Sequence, residues 1–258
     1  MVQKKPRTKT INAARRIRLI LAAAVLAWPA LAAADDTSAL NPTGSDTSVH
    51  LASLASLPAA APPEKANFFG QPASKDAMDV ADWVVTSGDN KGLPFAIVDK
   101  IQAKVFVFDR GGQLRGATFA LLGKARGDDT VPGIGTRKLS TIRPEERTTP
   151  AGRFVADLGH DFGQDILWID YSAAISLHRV ITGNPGDHRR QRLATTSTLD
   201  KRISYGCINV PVKFYDRVVL GAFTGTSGIV YILPETKTIQ DVFFLSEAPN
   251  GSGTYQNH

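Results

Sequence analysis

Apolar positions along this chain fall into short continuous runs separated by turn residues, with one clear helical period near the start of the runs. Ser74 caps a predicted helix in which Ala77, Val80, Ala81 and Val84 recur at spacings of three and four, and Gly88-Asp89-Asn90 with Gly92 ends it. Phe95-Ala96-Ile97-Val98-Asp99 and Lys104-Val105-Phe106-Val107-Phe108 are β-branched and aromatic runs one short turn apart. After Arg110-Gly111-Gly112-Gln113, Leu114 to Leu122 reads as a third strand, so an antiparallel meander is expected. Strands are predicted again from Thr149 to Phe154, from Asp165 to Asp170, from Ser172 to Val180 and from Gly228 to Pro234. Pro211 suits the first turn of a helix over Val212 to Val219.

The intervals carry as much information as the runs. Residues 123–149 are dense in Gly, Pro, Arg and Asp, with no Gly-Lys-Ser/Thr step and no helix to follow, which argues against a phosphate loop and for a structured loop near a site. Residues 183–202 are polar and basic and too long for a hairpin turn, so a lid is expected there. Residues 35–73 are rich in Ala, Ser, Pro, Thr and Asp and lack sustained periodicity. Such a segment buries too little to offset its ordering entropy and reads as a disordered tether. Residues 74–245 form one mainly β domain with a few short helices, and residues 246–258 a frayed tail.

Charge enters through the N-terminus. Lys4, Lys5, Arg7, Lys9, Arg15, Arg16 and Arg18 precede an apolar run from Leu19 to Leu31, and Ala32-Ala33-Ala34 offers a small-residue cleavage site. Residues 1–34 therefore read as a signal peptide; the run is short for a membrane span and Pro29 interrupts it, so no stable membrane insertion is expected after cleavage. Of the 30 basic residues, seven belong to this segment, leaving 23 against 24 acidic ones. The basic balance is a property of the signal, and nucleic-acid binding loses its electrostatic footprint. The expected location is the periplasm or cell envelope.

Export changes the meaning of the single cysteine, Cys207. With no partner for a disulfide, an unpaired thiol in an oxidising space is a candidate for chemistry rather than packing. Gly206 before it allows close backbone approach, and a strand-to-helix connection is expected to aim N–H groups at a reacting oxyanion. A thiol nucleophile needs a base. His50 falls in the tether, His258 ends the chain and His160 reads as a turn residue. Two candidates remain: His178, flanked by Ile175, Leu177 and Val180 on a rigid strand, and His188, among Asp187, Arg189 and Arg190 in the lid.

Ser204-Tyr205-Gly206-Cys207-Ile208-Asn209, preceded by His178 and by Thr149-Pro150-Ala151-Gly152-Arg153-Phe154, resembles the L,D-transpeptidase catalytic domain of bacterial cell-wall enzymes. The resemblance extends over most of residues 95–233. It implies a β-sandwich or barrel and a Cys–His pair acting on peptidoglycan stem peptides, without metal or cofactor. By matching position Cys207 is the nucleophile and His178 its base. The backbone N–H groups of Gly206 and Cys207, with Tyr205, form the oxyanion hole; Ser204 braces the loop, Asn209 supports it or touches substrate, and Arg179 orients the histidine. Arg147 is the preferred guanidinium for a stem carboxylate, the other arginines being a solvated rim.

Two departures stand out. Tyr205 replaces the histidine of the family's box, and the 29 residues from His178 to Cys207 exceed the usual interval, which keeps His188 open as the base. Water as acceptor gives an L,D-carboxypeptidase; a decayed site leaves a wall-binding module. Metal hydrolysis by His178, Asp187, His188 and Cys207 lacks any tight ligand spacing. Neither the acceptor nor the oligomeric state is written in a local motif.

Overall fold

The computed structural model describes residues 65–244, and the expected signal, most of the tether and the tail lie outside them. The domain is mainly β, as its pattern predicts. Helix α1, Lys75–Ser87, opens it: the Ser74 hydroxyl accepts the Ala77 N–H at 3.1 Å and donates to Asp99 at 2.6 Å, and Gly88 closes the helix in the left-handed conformation at φ 68°. The predicted stripe is its buried face.

The expected meander is strands β1, Phe95–Asp99, β2, Lys104–Phe108, and β3, Leu114–Phe119, paired antiparallel in that order. Leu122–Gly123 leaves the predicted third strand as a separate β4. Beyond the long loop come β5, Gly152–Asp161, β6, Gln164–Asp170, β7, Ile175–Arg179, β8, Arg202–Ser204, β9, Ile208–Val210, and β10, Gly228–Ile232. Eight of them form one sheet in the order β3-β2-β1-β10-β5-β6-β7-β9, while β4 and β8 pair as a small second sheet. The last strand thus inserts parallel beside the first, Phe95 opposite Ile229.

The central strands are buried on both faces, which explains their continuous apolar runs. Phe95, Ile97, Phe106, Phe108, Ile229 and Tyr231 pack against α1, while Ala96, Val98, Val105, Val107, Val230 and Ile232 point into the other core. That second core is covered by the helix after Pro211, which runs through Val212–Phe214, a π-turn at Tyr215–Val219, and Leu220–Phe223, burying Tyr215, Val219 and Phe223.

Two boundaries differ from expectation. Residues 65–73, assigned to the tether, include an ordered edge of the domain: Asn67 bridges Gln113, and the Phe68 ring meets those of Phe106 and Phe108 edge-on at 5.5 and 5.1 Å. Two aromatic contacts offset the ordering entropy that the polar composition suggested could not be recovered. His160, read as a turn residue, lies within β5 opposite Asp165, because the turn falls at Phe162-Gly163. No helix among the described residues is long and apolar enough to cross a membrane.

Candidate active site

Strand β7 carries Ser176 and His178 two residues apart, so both side chains leave the same face while Ile175 and Leu177 enter the core. Its parallel neighbour β9 sets His178 opposite Asn209. That register fixes the imidazole from both sides. The Arg179 carbonyl lies 2.7 Å from Nδ1, and the Asn209 side-chain amide nitrogen 3.3 Å from Nε2. With the proton on Nδ1 donated to the carbonyl, Nε2 is the lone-pair nitrogen.

Cys207 precedes β9 directly. The expected strand-to-helix connection is instead a three-residue link between β8 and β9, because Ile208, Asn209 and Val210 pair with β7 before the chain reaches Pro211. The link is tight. Gly206 sits at φ 132°, and a Cβ there would come within 2.7 Å of Ile175 Cδ1 and 2.8 Å of the Thr148 carbonyl oxygen, so only glycine fits. The Ser204 hydroxyl donates to the Cys207 carbonyl at 2.6 Å and accepts the Gly206 N–H at 3.1 Å. The Ser204 hydroxyl thus bridges two backbone groups of the link, and the Gly206 N–H, an expected oxyanion donor, already has a partner there. The Thr149 hydroxyl holds the loop from the other side, donating to the Gly206 carbonyl at 2.7 Å and accepting the Gly123 N–H at 2.9 Å.

The Cys207 sulfur has Ser176 Oγ at 3.6 Å and the Ala174 carbonyl at 3.5 Å. Burial pushes its thiol above the ordinary value, opposed by the Ser176 hydrogen bond. Burial also pulls the His178 imidazole down; the bond to the Arg179 carbonyl opposes this, and the nearby Arg189 cation adds to it. Both shifts favour the neutral form, so the two groups rest as thiol and imidazole.

Cys207, His178, Ser176, Asn209, Ser204 and Tyr205 line one cavity of ≈ 460 Å³. Its walls are apolar side chains, among them Ile142, Phe162 and Trp168, with Arg137, Asp161, Asp187 and Arg189 as the charged groups. The loop that supplies Arg137 and Ile142 is ordered by Glu146, which accepts from the Arg137 guanidinium at 2.9 Å and the Arg143 N–H at 2.8 Å. The segment expected as a lid contains a 3-10 turn at Pro185–Asp187 followed by α2, Arg189–Ala194.

The remaining candidates separate cleanly. His188 is exposed in the left-handed conformation at φ 48° and is not part of the cavity wall. Arg147 is absent from the wall as well. Its guanidinium stacks 3.8 Å over the Tyr205 ring and donates to the Ile142 carbonyl, because the loop folds back on the cysteine link. Tyr205 thereby has a packing role in place of a titratable one. The Arg179 side chain points elsewhere, to Asp165, Asp216 and Tyr215, and only its carbonyl meets His178. Thr149 and Ser176 carried no expected role; Ser176 could have been found from its place two residues before His178. Arg189, counted among the rim arginines, donates to Asn209 at 2.9 Å, a contact no local pattern announces.

Fold and site together define a mainly β domain with a half-buried cysteine and a backbone-tethered histidine lining one cavity. The solved structures to which the chain aligns include L,D-transpeptidase catalytic domains. That of Enterococcus faecium is 19% identical over 54% of this chain and 95% of its own, with a TM-score of 0.32. The L,D-transpeptidase of Xylanimonas cellulosilytica is 14% identical over 54% and 60%, with a TM-score of 0.32. The helical cell shape determining protein Pgp2 of Campylobacter jejuni is 12% identical over 57% and 49%, with a TM-score of 0.36, so this chain spans about half of its length. No protein-family profile and no curated protein matches. Likenesses this distant assign no activity.

Proposed function

We propose that the chain is an exported L,D-transpeptidase in which Cys207 transfers an acyl group between peptidoglycan stem peptides. In this reading residues 1–34 are the signal peptide, the segment up to the domain is a tether, and the protein works in the periplasm or cell envelope. The observation that carries it is the setting of His178, whose Nδ1 is bound to a backbone carbonyl, leaving Nε2 with the lone pair beside the Asn209 amide, in the wall of the cavity that Cys207 also lines.

His178 Nε2 takes the thiol proton as the sulfur attacks the carbonyl of the L-centre to D-Ala bond. The tetrahedral oxyanion is held by the N–H groups of Cys207 and Tyr205, since that of Gly206 is bound to Ser204. Collapse breaks the C–N bond, and D-Ala leaves with the proton from His178, giving a thioester. An acceptor amine attacks the thioester carbonyl and gives its proton to His178; the new amide forms and the sulfur leaves to be reprotonated. Because both groups start neutral, proton transfer accompanies attack instead of preceding it. Asn209 keeps the imidazole plane fixed, and His188 has no part in the cycle.

The test is incubation of the exported protein, and of Cys207→Ala, with a disaccharide tetrapeptide, followed by mass spectrometry of products and intact protein. Loss of D-Ala with a covalent adduct on the wild type alone is expected, and the product identifies an amine or water as acceptor. Two equally inert proteins would overturn the enzyme reading.

A further inference from the structure

Of the two guanidinium groups in the cavity wall, one has both terminal nitrogens engaged. Arg137 gives Nη1 and Nη2 to Glu146 at 2.9 and 3.2 Å, and Nη2 also reaches the Thr141 carbonyl at 2.5 Å. Arg189 is different. Its Nε donates to Asp187 at 2.8 Å and its Nη1 to the Asn209 side-chain oxygen at 2.9 Å, while Nη2 has no hydrogen-bond partner among the described residues. The side chain is only 17% exposed, so it is a held group rather than a solvated one. It comes from the lid, yet it touches the residue whose amide nitrogen lies 3.3 Å from His178 Nε2.

The chemistry proposed above demands an anion near this spot. A stem peptide cleaved before its last residue carries a free carboxylate one residue beyond the scissile bond, about 3.8 Å from Cα to Cα. Two carboxylates, Asp161 and Asp187, already line the wall, so a third placed away from a cation would be repelled. A guanidinium fork with an open nitrogen is the group that accommodates it. We propose that Arg189 is a specificity-determining residue that binds the terminal carboxylate of the donor stem peptide. This rests on the transpeptidase reading and adds to it the feature of the substrate that the lid recognises. It also gives the lid a purpose: Arg189 already ties α2 to Asn209 beside the base, and its open nitrogen adds the donor carboxylate to that contact.

The experiment is calorimetric binding to the full chain carrying Cys207→Ala, which removes turnover. The probes are two disaccharide tetrapeptides that differ only in a terminal D-alanine carboxylate or carboxamide. The carboxylate is expected to bind about 10- to 100-fold more tightly, the range of one charge-assisted hydrogen-bonded contact. Adding Arg189→Met should collapse that preference to less than about threefold while leaving carboxamide affinity in place, which also reports that the variant is folded. Arg189→Lys, which keeps the charge without the fork, should retain part of the preference. A preference that persists in Arg189→Met, or parent protein that binds both peptides equally, overturns the inference and leaves the transpeptidase reading standing. If neither peptide binds the parent, that reading falls and this inference with it.

Discussion

Thr149→Val isolates a side chain that hydrogen-bonds the cysteine link from outside. Thr149 is fully buried, and its hydroxyl joins the Gly206 carbonyl at 2.7 Å to the Gly123 N–H at 2.9 Å. Valine keeps the shape and removes both bonds. Neither orphaned group has room to find water, since β4 is pressed so closely on this segment that a Cβ at Gly123 would lie 2.8 Å from the Thr149 nitrogen. Each buried, unsatisfied backbone group costs about 1–3 kcal/mol, so the variant should lose about 2–6 kcal/mol. At about 2–4 °C per kcal/mol for a domain of 150–250 residues, Tm should fall by at least about 4 °C. Thr149→Ser keeps the hydroxyl and should recover most of the loss. Thermal melts of the three proteins, together with iodoacetamide labelling of Cys207, check both the stability and the placement of the thiol. A valine variant within about 1 kcal/mol of wild type would refute the claim that this hydroxyl anchors the link.

Two further outcomes follow from charge. Because burial raises the Cys207 thiol and lowers the His178 imidazole, the alkylation rate of Cys207 should keep rising with pH beyond the ordinary thiol value of about 8.5, and a plateau below pH 7 would reveal a resting thiolate–imidazolium pair instead. Burial pushes the Asp128 carboxyl up, but hydrogen bonds from Lys100, Thr236 and the Glu235 and Lys237 N–H groups outweigh it and hold it well below the carboxylate range. Its folded pKa is below its unfolded one, so its stabilisation is complete above about pH 5 and is lost as pH falls through about 4 and below. Asp128→Asn should cost about 3 kcal/mol at pH 7, since it removes the nearer of the two carboxylates paired with the buried Lys100 cation, leaving only Glu235 at 3.7 Å, and should flatten the acid limb of urea midpoints. A pH-independent midpoint in the wild type between pH 5 and 3 would contradict this.

What could be read from the sequence alone was whatever depends on neighbours along the chain. The capped helix after Ser74, the meander of β1 to β3 and the apolar run of β10 follow from local period and turn chemistry. The unpaired Cys207 and the core-flanked His178 stood out because residue type and immediate context carry that information. The tertiary structure decided what depends on contacts between distant residues. Parallel pairing of β7 with β9 brings Asn209 to His178 across 31 residues, and Thr149 reaches Gly206 across 57. The link before Cys207 uses up the Gly206 N–H, the loop turns Arg147 onto Tyr205, and the lid carries Arg189 back to Asn209. None of these has a local signature, because a hydrogen-bond partner is chosen by which strands pair and where loops return, and pairing is settled by burying two cores at once.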